Sequence, residues 1–505
     1  MRPFSLSIFI GILIAICSCR TDFETVDSTG KLAFSRDTIY LDTVFTSIGS
    51  STYTLKVYND SKNDINIPTI NLGKRLNSKY RMTVDGMTGI EGKEFSNVTL
   101  LAKDSLFIFI ETTAASSDAN PTDFLYTDQI EFDAGTNLQK VELVTLIQDA
   151  VFLYPQKYTD GTTETVTVDG DKTYGFYLDE NDASHGNELL FSNTKPYVIY
   201  GYAAVPEGKT VIFNPGARVH FHNNSGLIVS KDASIKINGT TSTTDKLEGE
   251  VIFEGDRLEP LYDDIPGQWG TIWLQSETKE NSINHLTLKN ATIGLLIENN
   301  KDIMTIKNSQ FYDCTNYGIL AKGAKIKGEN IVINSAGTSS LACTYGGDYN
   351  FTHCTFNNNW SGNSPASVTL NNFELGATPE VNNLTQATFN NCIIYGSYTN
   401  HLNFSKKENA AFEYTFNNCL IKHSETSTYL LYQFNTDTAH YNNIILNKNP
   451  DFQNTNSNNF NISPKSSAFA QGSILYNVPL DIKGITRTSP PDLGAYQSQD
   501  FPDKT

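Results

Sequence analysis

Along the second half of the chain one six-residue pattern recurs: large apolar, any residue, turn-former, small or apolar, any residue, large apolar. Its windows are Ile283 to Leu288, Ile306 to Phe311, Ile326 to Ile331, Phe351 to Phe356, Phe389 to Ile394, Phe416 to Ile421 and Tyr441 to Leu446. A plain strand turns alternate side chains to one face, so apolar slots at one, four and six require a residue bent out of phase. The third slot reads His285, Asn308, Gly328, His353, Asn391, Asn418 and Asn443, residue types that tolerate left-handed backbone. Each window therefore predicts strand, bend, strand. The fourth slot holds Leu286, Ser309, Glu329, Cys354, Cys392, Cys419 and Ile444, mostly compact side chains that suit stacking inside a tube.

Window starts are separated by 23, 20, 25, 38, 27 and 25 residues, within the range of solenoid repeats. A further strand signal follows most windows, as in Gly294 to Ile297, Gly318 to Leu320, Ser367 to Leu370, His401 to Phe404 and Tyr429 to Leu431. Each step thus predicts one coil of a parallel β-helix. No stretch sustains a 3.6-residue apolar period, which argues against long helices.

Residues 34–151 carry a different pattern, short alternating strands at Thr38 to Leu41, Ser51 to Tyr58, Ile65 to Ile70, Tyr80 to Val84, Ser105 to Glu111, Asp128 to Phe132 and Gln139 to Ile147. Strands of this length with turns between them predict a two-sheet sandwich. The order resembles immunoglobulin-like domains of the spindle and hydin type through Val57-Tyr58-Asn59 and Leu101 to Ser105. That resemblance implies a spacer rather than a ligand-binding module. Residues 152–192 read as a linker.

At the amino terminus Arg2, an apolar run from Phe4 to Ile16 and Cys17-Ser18-Cys19 form a signal sequence too short to span a bilayer. Ile16-Cys17-Ser18-Cys19 resembles a lipobox, which implies cleavage after residue 18, lipid on Cys19 and a tether over 19–33. Arg20 in place of an aspartate, followed by Asp22 and Glu24, is similar to signals that send Bacteroidota lipoproteins to the outer membrane and outward. A net charge of -18 argues against nucleic acid as a partner. Of 7 cysteines, the five beyond Cys19 lie in the repeats. They read as buried thiols, and with no Cys-x-x-Cys the sequence predicts no metal and no cofactor.

The block from Val205 to Trp273 strengthens the picture. Val211 to Phe221, Gly226 to Val229, Gly255 to Leu258 with Pro266 to Gly270, and later Gly346 to Thr355 are similar to the right-handed parallel β-helix surface lipoproteins of Bacteroidota, of the pectate-lyase-like fold. Ser463-Pro464, Asp481 to Gly484, Arg487 and Pro491 to Tyr496 look like that family's terminal cap. The resemblance implies an all-β fold, with the β-helix over 193–462 and a cap over 463–505. Arg487 with Asp481 or Asp492 reads as a structural ion pair.

Shape does not fix activity. The paired carboxylate motifs of polygalacturonases are missing, and hydrolysis needs two facing carboxylates. Asp263 and Asp264 read as a solvated loop. Arg218, His220 and His222 alternate onto one outer stripe and are the candidate catalytic residues for a lyase, which needs a cation and a base. Trp269 and Trp273 are the candidate ligand-binding residues, whose flat rings suit sugar faces; Trp360 is a weaker candidate in a connector. The sequence thus reads as a lipid-anchored outer-membrane protein that binds extracellular polysaccharide or cell-surface glycan without cleaving it. The alternatives are a polysaccharide lyase or glycoside hydrolase, and a structural envelope protein.

Overall fold

The computed structural model describes residues 24–168, 170–375, 379–424 and 430–501. Cys19 and the other residues of the signal and lipobox, and Tyr429, lie outside the described residues. The chain divides into two compact units, Met1–Asp149 and Ala150–Thr505.

In the first unit two sheets pack face to face. One places Val26–Asp27, Ile65–Leu72, Leu125–Phe132, Gln139–Gln148 and Thr38–Phe45 side by side, with Glu94–Leu100 also on Ile65–Leu72. The other runs Ala33–Phe34, Tyr53–Tyr58, Ser105–Thr112, Tyr80–Val84. Alternation is clean in Ser105–Thr112, where Leu106, Ile108 and Ile110 are buried while Phe107 and Phe109 face out. The buried set, with Leu55, Val57, Ile130 and Leu143, forms one core, as a sandwich requires.

The second unit is a stack of coils, an all-β arrangement compatible with a parallel β-helix. Its walls are three sheets of 11, 10 and 10 strands, in which each strand, apart from the opening strand of the second wall, pairs in parallel with the strand one coil later. The first wall begins at Val151–Leu153, the second at the hairpin Thr165–Val168 and Asp171–Tyr177, and the third at Leu190–Phe191. The stretch expected as a linker therefore supplies the first coil. Its antiparallel hairpin ends the second wall, whose edge would otherwise be free to pair.

Each hexapeptide spans the corner from third wall to first, as Ser282–Asn284 and Leu286–Lys289 do on either side of His285. His285, Asn308, His353, Asn391, Asn418 and Asn443 all have φ between 48° and 54°. The remaining window is corrected: Gly328 pairs with Ile306 and Phe351, so it begins the unit, and the bend falls on Asn330, at φ 53°. Cys354, Cys392 and Cys419 stack at 0 % exposure, and all five described cysteines are free and buried. At slot one, rings of Phe351, Phe389, Phe416 and Tyr441 follow each other with centroids 5.4, 4.6 and 5.6 Å apart.

The end of the chain does not cap the stack as expected. The last coil is plugged by aromatic residues, among them Phe404, Tyr414, Tyr432, Phe434 and Tyr441. Residues 449–497 instead run back along the outer face of the first wall. Phe452, Phe460, Ile462, Ala468, Leu493 and Ala495 cover its outward residues Tyr312, Val332, Ile393 and Leu420. The corner asparagines clip this tail: Asn391 donates to Ser473 O and accepts from Ser473 N, and Asn330 donates to Leu480 O. Gly494 donates its amide to Asn391 O, and a Cβ there would lie 2.6 Å from Thr355 Oγ1 and 2.7 Å from Ile393 Cδ1, so only glycine fits. Arg487 is structural, but through Asn330 Oδ1 and the carbonyls of Gly494 and Ala495 rather than an ion pair. Asp481 and Asp492 accept backbone amides of the tail.

Candidate functional site

The three outer faces differ in chemistry. The first wall lies under the tail from Tyr312 to Ile445. The third wall, from Lys236 onward, turns out Thr305, Lys327, Asn350, Thr388 and Thr415, with Asn442, Asn417 and Asn390 joined as a polar ladder at 3.0 and 2.9 Å. On the second wall the pairings align Tyr177, Ala204, Ile228, Trp273, Leu296, Leu320, Ala342, Thr369 and Asn403 in one outward row. Val166 and Val168 of the hairpin cover Ala204 and Ile228 and touch Trp273. Beyond them Trp273, Leu296, Leu320 and Thr369 are half-buried, Ala342 is buried and Asn403 is exposed, an apolar stripe with a polar far end.

The strand Trp269–Leu274 shows why the two tryptophans part company. The register slips between Thr271 and Ile272, opposite an extra residue at Gly294, so Thr271 and Ile272 are both buried. Alternation therefore fails across the bulge. Trp269 points inward at 1 % exposure, stacked on Phe221 with centroids 4.4 Å apart, and its Nε1 donates to Lys289 O. It is a core residue, which corrects its expected place on the outer face. Trp273 faces outward, and its Nε1 donates to Glu298 Oε2 at 3.0 Å.

Glu298 belongs to the neighbouring outward row, beside Lys322 and then Thr344. Lys322 Nζ lies 3.3 Å from Glu298 Oε1 and 2.8 Å from Glu374 Oε1. Glu374 sits on the short hairpin Phe373–Glu374 with Glu380–Val381, which rims this edge. Partial burial works against the Lys322 ammonium, but the two carboxylates outweigh it and raise its pKa. The result is an indole, an aliphatic stripe and a linked carboxylate–ammonium–carboxylate group on one surface. Leu296, Glu298, Leu320, Lys322 and Glu374 were not singled out in the sequence; apolar residues at outward positions of the strands after each window were the available signal.

Arg218, His220 and His222 do alternate outward, with Val219 and Phe221 buried, but each is engaged. Arg218 donates to the carbonyls of Gly216, Glu250, Lys246 and Leu247. Its guanidinium holds a loop. His220 is 4 % exposed, its Nδ1 3.3 Å from Gly255 O and 3.6 Å from Glu254 Oε1; burial lowers its pKa and favours the neutral ring. His222 lies 2.6 Å from Asp256 Oδ2, and that hydrogen bond raises its pKa. All three side chains are thus already engaged by groups of the protein itself.

Next to it Lys289 Nζ lies 2.9 Å from Glu254 Oε2 and 3.7 Å from Asp263 Oδ1. Asp263 and Asp264 are exposed, and the Asp263 carbonyl accepts from Asn290. Trp360 is half-buried, packed close over Gly337. Among the described residues Asp182, His185 and Glu188 bring three possible metal-ligand atoms within 4.8 Å of one another. His185 Nδ1 lies 3.2 Å from Asp182 Oδ1 and 3.0 Å from Glu188 Oε1, so hydrogen bonding accounts for the group.

No protein-family model matches the chain, and no curated protein matches it. Among solved structures it is similar to a family 123 glycoside hydrolase from Clostridium perfringens at 8% identity and a TM-score of 0.17, over 25% of this chain and 30% of that one. It is similar to Dex49A from Penicillium minioluteum at 8% identity and 0.19, over 80% and 82% of the two chains. The PapD-like domain 7 of human CEP192 aligns at 14% identity and 0.16, over 26% and 93%. At such scores none of the three carries an activity across.

Proposed function

We propose that this protein is a surface lipoprotein that binds an extended glycan along the second wall without cleaving it, similar to the right-handed parallel β-helix lipoproteins of Bacteroidota. In this reading the first unit is an immunoglobulin-like spacer. Lipid on Cys19 anchors the chain to the outer membrane, facing outward. The observation that carries the proposal is the outward row Trp273, Leu296, Leu320, half-buried, which continues through the buried Ala342 to Thr369 and Asn403. Parallel strands repeat about every 4.8 Å, so the row presents a ladder along the stacking direction. Flat apolar rings and short aliphatic side chains with polar edges suit pyranose faces.

The test is glycan-array binding by the full chain, with product analysis on every bound polymer. Binding without new reducing ends or unsaturated sugars, weakened at least about tenfold by Trp273→Ala, is the expected result. Retention unchanged in Trp273→Ala removes the second wall from the reading, and product release replaces it with a polysaccharide lyase or hydrolase. Labelled fatty acid incorporated by the wild type and absent in Cys19→Ala tests the anchor.

A further inference from the structure

Resting on the glycan reading, we infer that the outer face of the second wall selects an uncharged pyranose polymer and rejects polyuronates. Charge is unevenly disposed along its two outward rows. From Trp273 to Asn403 the central row holds Trp273, Leu296, Leu320, Ala342, Thr369 and Asn403, with no charge at all. The neighbouring row runs Glu298, Lys322, Thr344. Lys322 is the single cation of these positions, and it is already held between Glu298 and Glu374 at 3.3 and 2.8 Å. A third carboxylate, Glu380, accepts from Tyr345 Oη at 3.3 Å on the same rim.

Recognising a polyuronate takes a donor cation for each bound carboxylate, as a charge-assisted and preferably bidentate contact. Here a uronate seated on Trp273 meets Glu298, whose Oε2 is bonded to the same indole, and finds the Lys322 ammonium neutralised twice over. Like charges at about 5 Å cost about fourfold in affinity per pair in bulk water and over about a hundredfold at the lower effective dielectric near a protein surface. Sugar hydroxyls face the opposite situation. A hydroxyl donates to a carboxylate and accepts from an ammonium, so the group Glu298–Lys322–Glu374 offers vicinal diols both partners at once. Thr344, Thr369 and Asn403 extend that uncharged hydrogen bonding along the same face.

Affinity electrophoresis of the full chain distinguishes the outcomes, using a neutral β-glucan, mannan and dextran beside polygalacturonate, alginate and chitosan. The expected result is retardation by at least one neutral polymer, lost in Trp273→Ala, with none by the polyuronates at low salt. Glu298→Gln with Glu374→Gln should raise polyuronate affinity by about tenfold or more, an effect that shrinks as salt screens the charges. Wild-type retention by polygalacturonate or alginate, or stronger retention by chitosan than by neutral polymers, overturns the selectivity while leaving glycan binding intact. Retention by no polymer overturns the glycan reading itself.

Discussion

Asp313 offers a quantitative test of how the tail and the first wall are joined. It closes the strand Gln310–Cys314 with a left-handed φ of 53° and is 8 % exposed. Asn458 of the tail donates to its Oδ2 at 3.1 Å. Burial, helped by nearby Asp264, pushes its pKa from 3.8 up to about 6. A folded-state pKa above the unfolded one means that the native state holds the proton more tightly in the interval between them. Stability from this group is therefore complete below about pH 4 and is lost as pH rises through about 6. A shift of about two units corresponds to a loss of about 3 kcal/mol when the carboxyl is fully ionised.

Asp313→Asn removes the charge and keeps an acceptor for Asn458. Urea unfolding of wild type and variant from pH 4 to pH 8 should give nearly equal stabilities at the acid end. The variant should pull ahead by about 3 kcal/mol at the alkaline end. Taking the difference cancels the other buried carboxyls that rise with burial, such as Glu250 and Asp481. A stability gap that stays constant across the range, or a variant that is weaker at pH 8, refutes the argument that burial dominates at this position.

Truncating the inward indole by Trp269→Ala should cost about 3–5 kcal/mol in the same assay, whereas Trp273→Ala, on the outer face, should change stability far less and act on binding. Asn391→Ala forfeits both hydrogen bonds to Ser473 and places alanine in left-handed backbone, for a combined cost of about 2–4 kcal/mol; limited proteolysis should then cut the tail between 470 and 480 earlier than in wild type. Burial pushes the Cys314 thiol up to about 12 and raises those of Cys343, Cys354 and Cys419. Alkylation mapped by mass spectrometry should therefore leave these positions unmodified in the native protein and label them after unfolding; labelling of native Cys354 would contradict a dry interior.

The bends were legible because a left-handed residue is chemically marked: six of seven expected corners hold that conformation. The exception was ambiguous in the sequence, since Gly328 also tolerates the bend and Ile326 mimics an apolar first slot. Pairing with Ile306 settled the matter two residues later, at Asn330. Trp269 was misplaced because alternation was carried across a bulge whose cause, Gly294, lies on the adjacent strand. Arg218 and the histidines were placed on the right face, but Arg218 is held by the loop carrying Lys246, Leu247 and Glu250, and the histidines meet Glu254, Gly255 and Asp256 on and just beyond the next coil's strand, neither of which shows in the alternation of a single strand. The tail's course was missed for a related reason. Its partners are more than a hundred residues away in several cases, as with Tyr496 and Gln310 or Asn330 and Arg487.

A trace of the tail was nonetheless present in slot five of the windows. That slot is polar in Thr287 and Gln310 and apolar in Ile393, Leu420 and Ile445, and slot five faces outward. An outward apolar row demands a cover, and residues 449–497 provide one. The same logic applied to the second wall exposes Trp273, Leu296 and Leu320 as a second outward apolar row. This one is met at its first end by Val166 and Val168, stays half-buried through Leu320 and passes the buried Ala342. A chain that devotes a long segment to covering one stripe and leaves the other half-buried has separated two uses of the same strand chemistry. The covered stripe is part of the folding core, while the half-buried one, edged by charges that hold each other, is the surface on which the glycan proposal is tested.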